Sequence, residues 1–255
     1  MKWLLSIAVA FGMYSRIPVP SIAWREDSMR YALCAFPLVG IAQGLLCVAW
    51  GMLCLTAGLP MPLVAAGLLA FPLLVNGGIH LDGLADTSDA LASHAPRERM
   101  LEIMKDSHLG AFGAIALCVH VVLLFAVLAS WRFDAVSLWC LPCVFALSRA
   151  LSGWAVAFWP QARKQGMARS FSDGASRTAV GVCAAAFCLA SAVGLVAAGG
   201  VGGVGAVVVA AAMVAYYRHV ALSRFGGVTG DLAGWFLQWT ELACVAALAI
   251  GGALV

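Results

Sequence analysis

Long uninterrupted apolar stretches, most about the length of a bilayer-crossing helix, govern what this chain of 255 residues can fold into. They lie at 31–57, 61–81, 109–130, 135–159, 178–199, 203–218 and 233–255, the sixth being the shortest. Strands of an outer-membrane barrel would alternate in polarity over short segments, and these runs do not alternate. With 63% hydrophobic and 11% charged residues, against about 25% charged in a soluble domain, a water-soluble globule is excluded. So is a disordered chain, which needs low hydrophobicity. The expectation is an all-α polytopic membrane protein. It is a single domain over residues 1–255, with about seven transmembrane helices. Residues 3–13 are apolar and no A-x-A cleavage site precedes Arg16, so this segment is expected as a short amphipathic helix in the interface or dipping into the membrane.

Charge sets the orientation. Arg16, Arg25 and Arg30, then Arg97, Arg99 and Lys105, then Arg163, Lys164, Arg169 and Arg177, then Arg218 and Arg224 fall in alternate loops. All of these belong to one face, whereas the opposite loops offer only Arg132. By the positive-inside rule the rich face is cytoplasmic, and nearly every acid lies on it. The net charge of +3 and the lack of a dense basic cluster give no sign of nucleic acid. Most of the nine cysteines sit in apolar runs as small core residues. Cys140 and Cys143 form a CxxC without a second ligand pair. Gly200 to Gly205 satisfies G-x-G-x-x-G, but it joins two apolar helices, so a tight turn or close helix packing is the better reading.

The chemistry-bearing segment is Gly77-Gly78-Ile79-His80-Leu81-Asp82-Gly83-Leu84-Ala85-Asp86-Thr87-Ser88-Asp89. On a helix Asp82, Asp86 and Asp89 fall within roughly 60° of one face. Such a stripe repels itself, and desolvation at the mouth of a span raises the cost. A hard divalent cation such as Mg2+, which takes carboxylate oxygens and retains waters for a phosphorylated substrate, would satisfy it. A solvated acidic loop is the alternative. His80 serves equally as metal ligand, phosphate donor or structural hydrogen-bonding group.

Further along, Arg97 to Ser107 reads as a short surface helix begun by Pro96. Lys105 and Asp106 border a phosphate or metal site, or Asp106 simply caps the next span. The loop from Arg163 to Asp173 suits an anionic ligand or lipid phosphates. Gly226-Gly227-Val228-Thr229-Gly230-Asp231 suits a second half-site, or an N-cap by Asp231. Arg149 and Glu241 lie at equal depth, roughly 14 Å inside their spans. They are expected to partner each other, in a functional or a structural pair.

Taken together, Tyr14-Ser15-Arg16-Ile17-Pro18-Val19-Pro20, the GGIHLDGLADTSDAL run, MLEIMKDSHLGAFG, Ser148-Arg149 and GGVTGD with Glu241 beyond it resemble the cobalamin synthases, also called adenosylcobinamide-GDP ribazoletransferases. The resemblance runs in order along nearly the whole chain. Ala90 stands where the family has glycine, and Gln238 where it commonly has an acid. The resemblance implies a Mg2+-dependent phosphotransfer at the bacterial inner membrane, with the site facing the cytoplasm. In it the 3′-hydroxyl of α-ribazole, or of its 5′-phosphate, attacks the cobinamide-linked phosphorus of adenosylcobinamide-GDP and GMP leaves. It further implies Asp82, Asp86, Asp89, Asp231 and Glu241 as metal ligands. His80, Asp82, Asp86, Lys105, Asp106 and Arg149 would be catalytic, and Arg16, Gly227, Thr229 and Gly230 would bind substrate. The lipid bilayer is a partner, and association with other corrinoid-pathway enzymes is compatible with the reading. The competing readings are a CDP-alcohol phosphotransferase, a prenyltransferase or a transporter. The first expects a longer D-G-x-x-A-R run, the second another acidic cluster, and the third matching halves with midplane sites.

Overall fold

The computed structural model describes residues 2–20 and 29–254, so Arg25 lies outside the described residues. The elements in order are α1 (Lys2–Tyr14), α2 (Ala32–Ala57), α3 (Met61–Asn76), α4 (Ile79–Ala92), α5 (Arg97–Ile103) and α6 (Ala111–Ser130). After the short 3-10 turn Ser137–Trp139 come α7 (Cys140–Phe158), α8 (Met167–Gly174), α9 (Arg177–Val220), a π-helical turn (Ala221–Phe225) and α10 (Gly230–Ala253). No strand occurs among the described residues, only an isolated bridge between Gln161 and Val228. The fold is all-α and polytopic, as the apolar runs require. Five helical segments among the described residues are long and apolar enough to cross a membrane, and α3 with α4 makes a sixth candidate as a bent pair.

Two of the expected spans take an unexpected form. The run 61–81 is not one helix: α3 stops at Asn76, and α4 leaves at 91° to it. Gly77 and Gly78 adopt φ of 66° and 81°, a region costly for residues with a side chain. The Asn76 side-chain Oδ1 accepts a hydrogen bond from the Gly78 N–H at 2.8 Å. An Asn-Gly-Gly turn therefore breaks the helix where hydropathy alone runs through. The aspartate stripe belongs to the redirected helix α4, not to the end of α3.

The second case is α9, whose 44 residues would rise about 66 Å if straight, twice the hydrocarbon thickness. It is not straight. Gly200 has φ 52° and ψ −129°, and the chain reverses there, bringing Gly203 against the Leu195 carbonyl. Gly181 faces Phe158 and Tyr217 packs on Trp159 at 5.1 Å, so the two ends of α9 return to the same end of the bundle. The reversal falls where the expected spans 178–199 and 203–218 meet, which makes Gly200 to Gly203 a tight turn with close packing. Gly202 also packs against Gly251 of α10.

The charged loops converge at one end. Ser176 N–H donates to the Arg30 carbonyl at 3.0 Å, and Ala162 N–H to the Val228 carbonyl at 3.0 Å. Arg97 lies over Gly226. A buried cluster including Trp159, Tyr217 and Phe236 stacks beneath these loops, and a second including Trp131, Leu138 and Leu248 fills the far end. Outside, Leu74, Val122, Val182, Leu189 and Val193 are each more than 60% exposed, a surface suited to lipid rather than water. The N-terminal α1 is apolar and, at 13 residues, about 20 Å long, too short to cross. It packs on α2, with the Tyr14 ring tilted against Phe36 at 4.1 Å.

Candidate active site

The site forms where α4 crosses the start of α10. Both crossing points are glycines: a methyl group on Gly83 would sit 2.5 Å from the Asp231 carbonyl oxygen, and one on Gly234 would lie 3.1 Å from that of His80. Bare backbone at both positions lets the helices touch, and this contact sets Asp82 and Asp86 beside Asp231. Asp86 is half-buried and stands in the field of Asp82, Asp231 and Asp89, offset by the charge of Arg163. Asp82 lies in the first turn of α4 and Asp231 in the first turn of α10, where helix dipoles favour negative charge.

Asp231 owes its freedom to Thr229. Thr229, not Asp231, is the N-cap of α10, its Oγ1 accepting from the Leu232 N–H at 3.1 Å. Thr229 is only 2% exposed and its hydroxyl is engaged by the cap, and it also lines the larger cavity at the site. Gly227 is likewise structural: a side chain there would strike the Pro160 carbonyl at 2.5 Å. That contact, with the Val228 N–H donating to the Pro160 carbonyl at 2.8 Å, ties the glycine loop to residues 160–162. Gly230 lines both cavities at the site, and Val228 and Thr229 line the larger of the two.

The tie delivers a residue that the sequence did not single out. Arg163 Nη1 donates to Asp231 Oδ2 at 3.1 Å and Nη2 to the Leu101 carbonyl at 3.2 Å. Arg163 thus anchors the glycine loop, α5 and the carboxylates together. Its partner lies 68 positions away, and its only sequence signal was membership of a basic loop.

Other expected site residues are placed elsewhere. Asp89 accepts from the Gly110 N–H at 2.9 Å and the Gly113 N–H at 2.8 Å, so its carboxylate caps α6. Glu241 is not a ligand beside Asp82. It lies ten residues along α10 from Asp231, about 15 Å, and accepts from Arg149 Nη1 at 2.6 Å and Ser148 Oγ at 2.9 Å. Arg149 is fully buried and also donates to the Phe145 carbonyl at 3.0 Å and Gln43 Oε1 at 2.9 Å. The partnership expected from equal depth is present, and it holds Arg149 away from the carboxylates. Lys105 and Asp106 lie in an exposed loop. Asp106 accepts from the His108 ring and backbone, and those bonds hold its carboxyl below the usual range. Arg16 is exposed beside the bend: its N–H donates to the Val75 carbonyl at 2.7 Å and its side chain lies over Gly77.

Two cavities meet at Gly230 and Asp231. One, of about 120 Å3, is walled by Tyr14, Phe36, His80, Ser152 and Leu237, with Asp82 and Asp231 also lining it. The other, of about 260 Å3, contains Arg163, Arg169 and the loop Val228–Thr229–Gly230. Both ring nitrogens of His80 and the Oγ of Ser152 have no hydrogen-bond partner among the described residues.

Among the described residues no three His, Cys, Asp or Glu side chains converge closely enough to enclose a metal by themselves. The donor set nevertheless fits Mg2+. Its oxygens are hard and only partly neutralised, and Mg2+ ordinarily takes one or two carboxylates, completing its shell with water and substrate phosphate. Such a site needs no protein cage.

A model of the cobalamin-5-phosphate synthase family matches residues 6–249. The adenosylcobinamide-GDP ribazoletransferase of Lachnoclostridium phytofermentans is 37% identical, over 100% of this chain and 97% of that protein. The enzyme of the same name from Pseudomonas putida strain GB-1 is 35% identical over 97% and 100%, and that from Geotalea daltonii 34% over 96% and 97%. No solved structure matches.

Proposed function

Since the chain belongs to the cobalamin-5-phosphate synthase family, we propose that it joins adenosylcobinamide-GDP to ribazole with release of GMP. The acceptor is α-ribazole or its 5′-phosphate, whose 3′-hydroxyl attacks the cobinamide-linked phosphorus. The phosphorus–oxygen bond to GMP breaks as the new one forms, and a carboxylate of the cluster takes the hydroxyl proton. The observation that carries this reading is the mutual field of Asp82, Asp86 and Asp231, with Asp231 at the junction of the two cavities, Asp82 lining the smaller one and Arg163 as the ion-paired cation.

Phosphoryl transfer asks a protein chiefly for positioning and for stabilisation of charge. Asp82, Asp86 and Asp231 would hold Mg2+, which supplies Lewis-acid stabilisation of the transferring phosphoryl group. Arg163 fixes Asp231 and, with Arg169 in the same cavity, supplies positive charge toward the departing GMP. That assignment replaces Lys105 and Arg149, one exposed in a loop and the other tied to Glu241. Placement at the bacterial inner membrane with the site toward the cytoplasm is supported by the convergence of the arginine-rich loops at one end.

The test is to follow GMP and the joined corrinoid from purified protein in lipid vesicles supplied with both substrates. Equimolar formation of the two, abolished by EDTA and restored by Mg2+, is expected. Headgroup or prenyl transfer instead, or substrate uptake into sealed vesicles without GMP, would overturn the reading.

A further inference from the structure

We infer that Arg169 is the residue that grips the donor's diphosphate, its two Nη nitrogens taking phosphate oxygens across the 260 Å3 cavity. The inference rests on the reaction proposed above and names which arginine of the site the substrate engages.

The two arginines lining this cavity are committed differently. Arg163 is used up within the fold. Its Nη1 is bound to Asp231 and its Nη2 to the Leu101 carbonyl, its Nε is buried, and the side chain is only 20% exposed. Arg169 makes a single bond, from Nε to Asp173 Oδ2 at 2.7 Å. Neither of its Nη nitrogens has a partner among the described residues, and the two side chains of the pair are 45% and 58% exposed. An exposed ion pair one helical turn apart holds its members weakly, so the guanidinium turns at little cost. The free Nη edge presents two parallel N–H donors, a fork that matches phosphate oxygens.

The fold delivers that fork to the carboxylates. α8 starts after Gly166, whose φ of 133° favours glycine. Phe171 seats the helix from beneath, 1% exposed and 5.7 Å from the Tyr14 ring. Met167 and Ala168 wall both cavities beside Asp231, and Arg169, next along, lines the larger one. Charge decides what it meets there. Arg163 offsets part of the charge of Asp82, Asp86 and Asp231, and the cation proposed above would offset the rest. A diphosphate arriving at that centre brings negative charge of its own. Arg169 is the cation lining the cavity whose donors are still free.

Equilibrium binding of GDP to the full-length protein in lipid nanodiscs with Mg2+, alongside steady-state kinetics, tests this. Arg169→Gln should weaken GDP binding about 10- to 100-fold, the effect of losing charged hydrogen bonds. It should raise the KM for adenosylcobinamide-GDP by a similar factor and leave the KM for α-ribazole unchanged. Arg169→Lys, which keeps the charge but not the fork, should recover part of the loss. Asp173→Ala should change GDP binding by less than about threefold, as expected of an exposed pair. Were Arg169 only a staple of α8 through Asp173, Arg169→Gln and Asp173→Ala would do equal harm, and that result would overturn the assignment. So would GDP binding equally to the wild type and Arg169→Gln, or to neither. Should Arg169→Gln not fold, the GDP affinity of Arg169→Lys decides, and an unchanged value overturns the assignment. Absence of GMP release from wild-type protein that binds GDP would instead overturn the proposed reaction, so the two failures are distinct.

Discussion

Two groups of acids on α10 and its neighbours meet opposite fates. Glu241, deep in the bundle, has its charge matched by Arg149, and its oxygen is further bound by Ser148. At the charged end Asp82, Asp86 and Asp231 share each other's fields, and the cation paired with them is Arg163. A buried charge survives in a bundle only when paired and hydrogen-bonded, so the first group has everything it needs from the protein. The second is incomplete. An acid whose charge is fully balanced within the fold does structural work, and the cluster left in excess at a cavity is where the proposed cation and phosphorylated substrate would sit.

The difference can be broken experimentally. Glu241→Ala strands Arg149 in the interior and should cost about 3–5 kcal/mol of stability, read as a collapse of the monodisperse peak on gel filtration after mild heating. Pairing it with Arg149→Met should restore most of that loss, because no charge is left unmatched. At the other group the expected effects reverse. Asp86→Asn should lower GMP release roughly a hundred- to thousand-fold while leaving thermal stability unchanged or higher, since one repelling charge is gone. Arg163→Met should raise the KM for adenosylcobinamide-GDP by about 10- to 100-fold, the worth of a charged hydrogen bond, with Arg163→Lys recovering part of it. The smallest change is expected at Asp89, which belongs with the satisfied acids. Asp89→Asn should lose about 1 kcal/mol through its cap on α6 and reduce turnover less than tenfold. A loss as deep as that of Asp86→Asn would move Asp89 into the catalytic cluster.

Much of this was legible in the chain itself. Hydrophobic run length fixes the helical class, and equal depth in two spans is enough to pair Arg149 with Glu241. The stripe Asp82, Asp86, Asp89 falls on α4, the helix that carries the proposed site, yet periodicity cannot tell which of the three is used for capping. That depends on where Gly110 and Gly113 arrive, more than 20 residues on. The break at Asn76-Gly77-Gly78 carried a turn signal that the surrounding hydropathy obscured. Arg163 was beyond reach, because its position follows from backbone pairing between residues 160–162 and Val228, a contact between distant loops with no local pattern. Asp231 was the cap the sequence offered, and only the geometry of the turn shows that Thr229 caps α10 while Asp231 pairs with Arg163.

The central claim, that the unmatched carboxylates hold a divalent ion against the diphosphate, is tested most directly by Mn2+ titration followed by electron paramagnetic resonance, with and without adenosylcobinamide-GDP. Wild-type protein should bind Mn2+ more tightly when the diphosphate substrate is present, and an Asp82→Asn, Asp86→Asn double variant of unchanged melting temperature should lose that binding. Equal Mn2+ binding by the wild type and the folded double variant would contradict it.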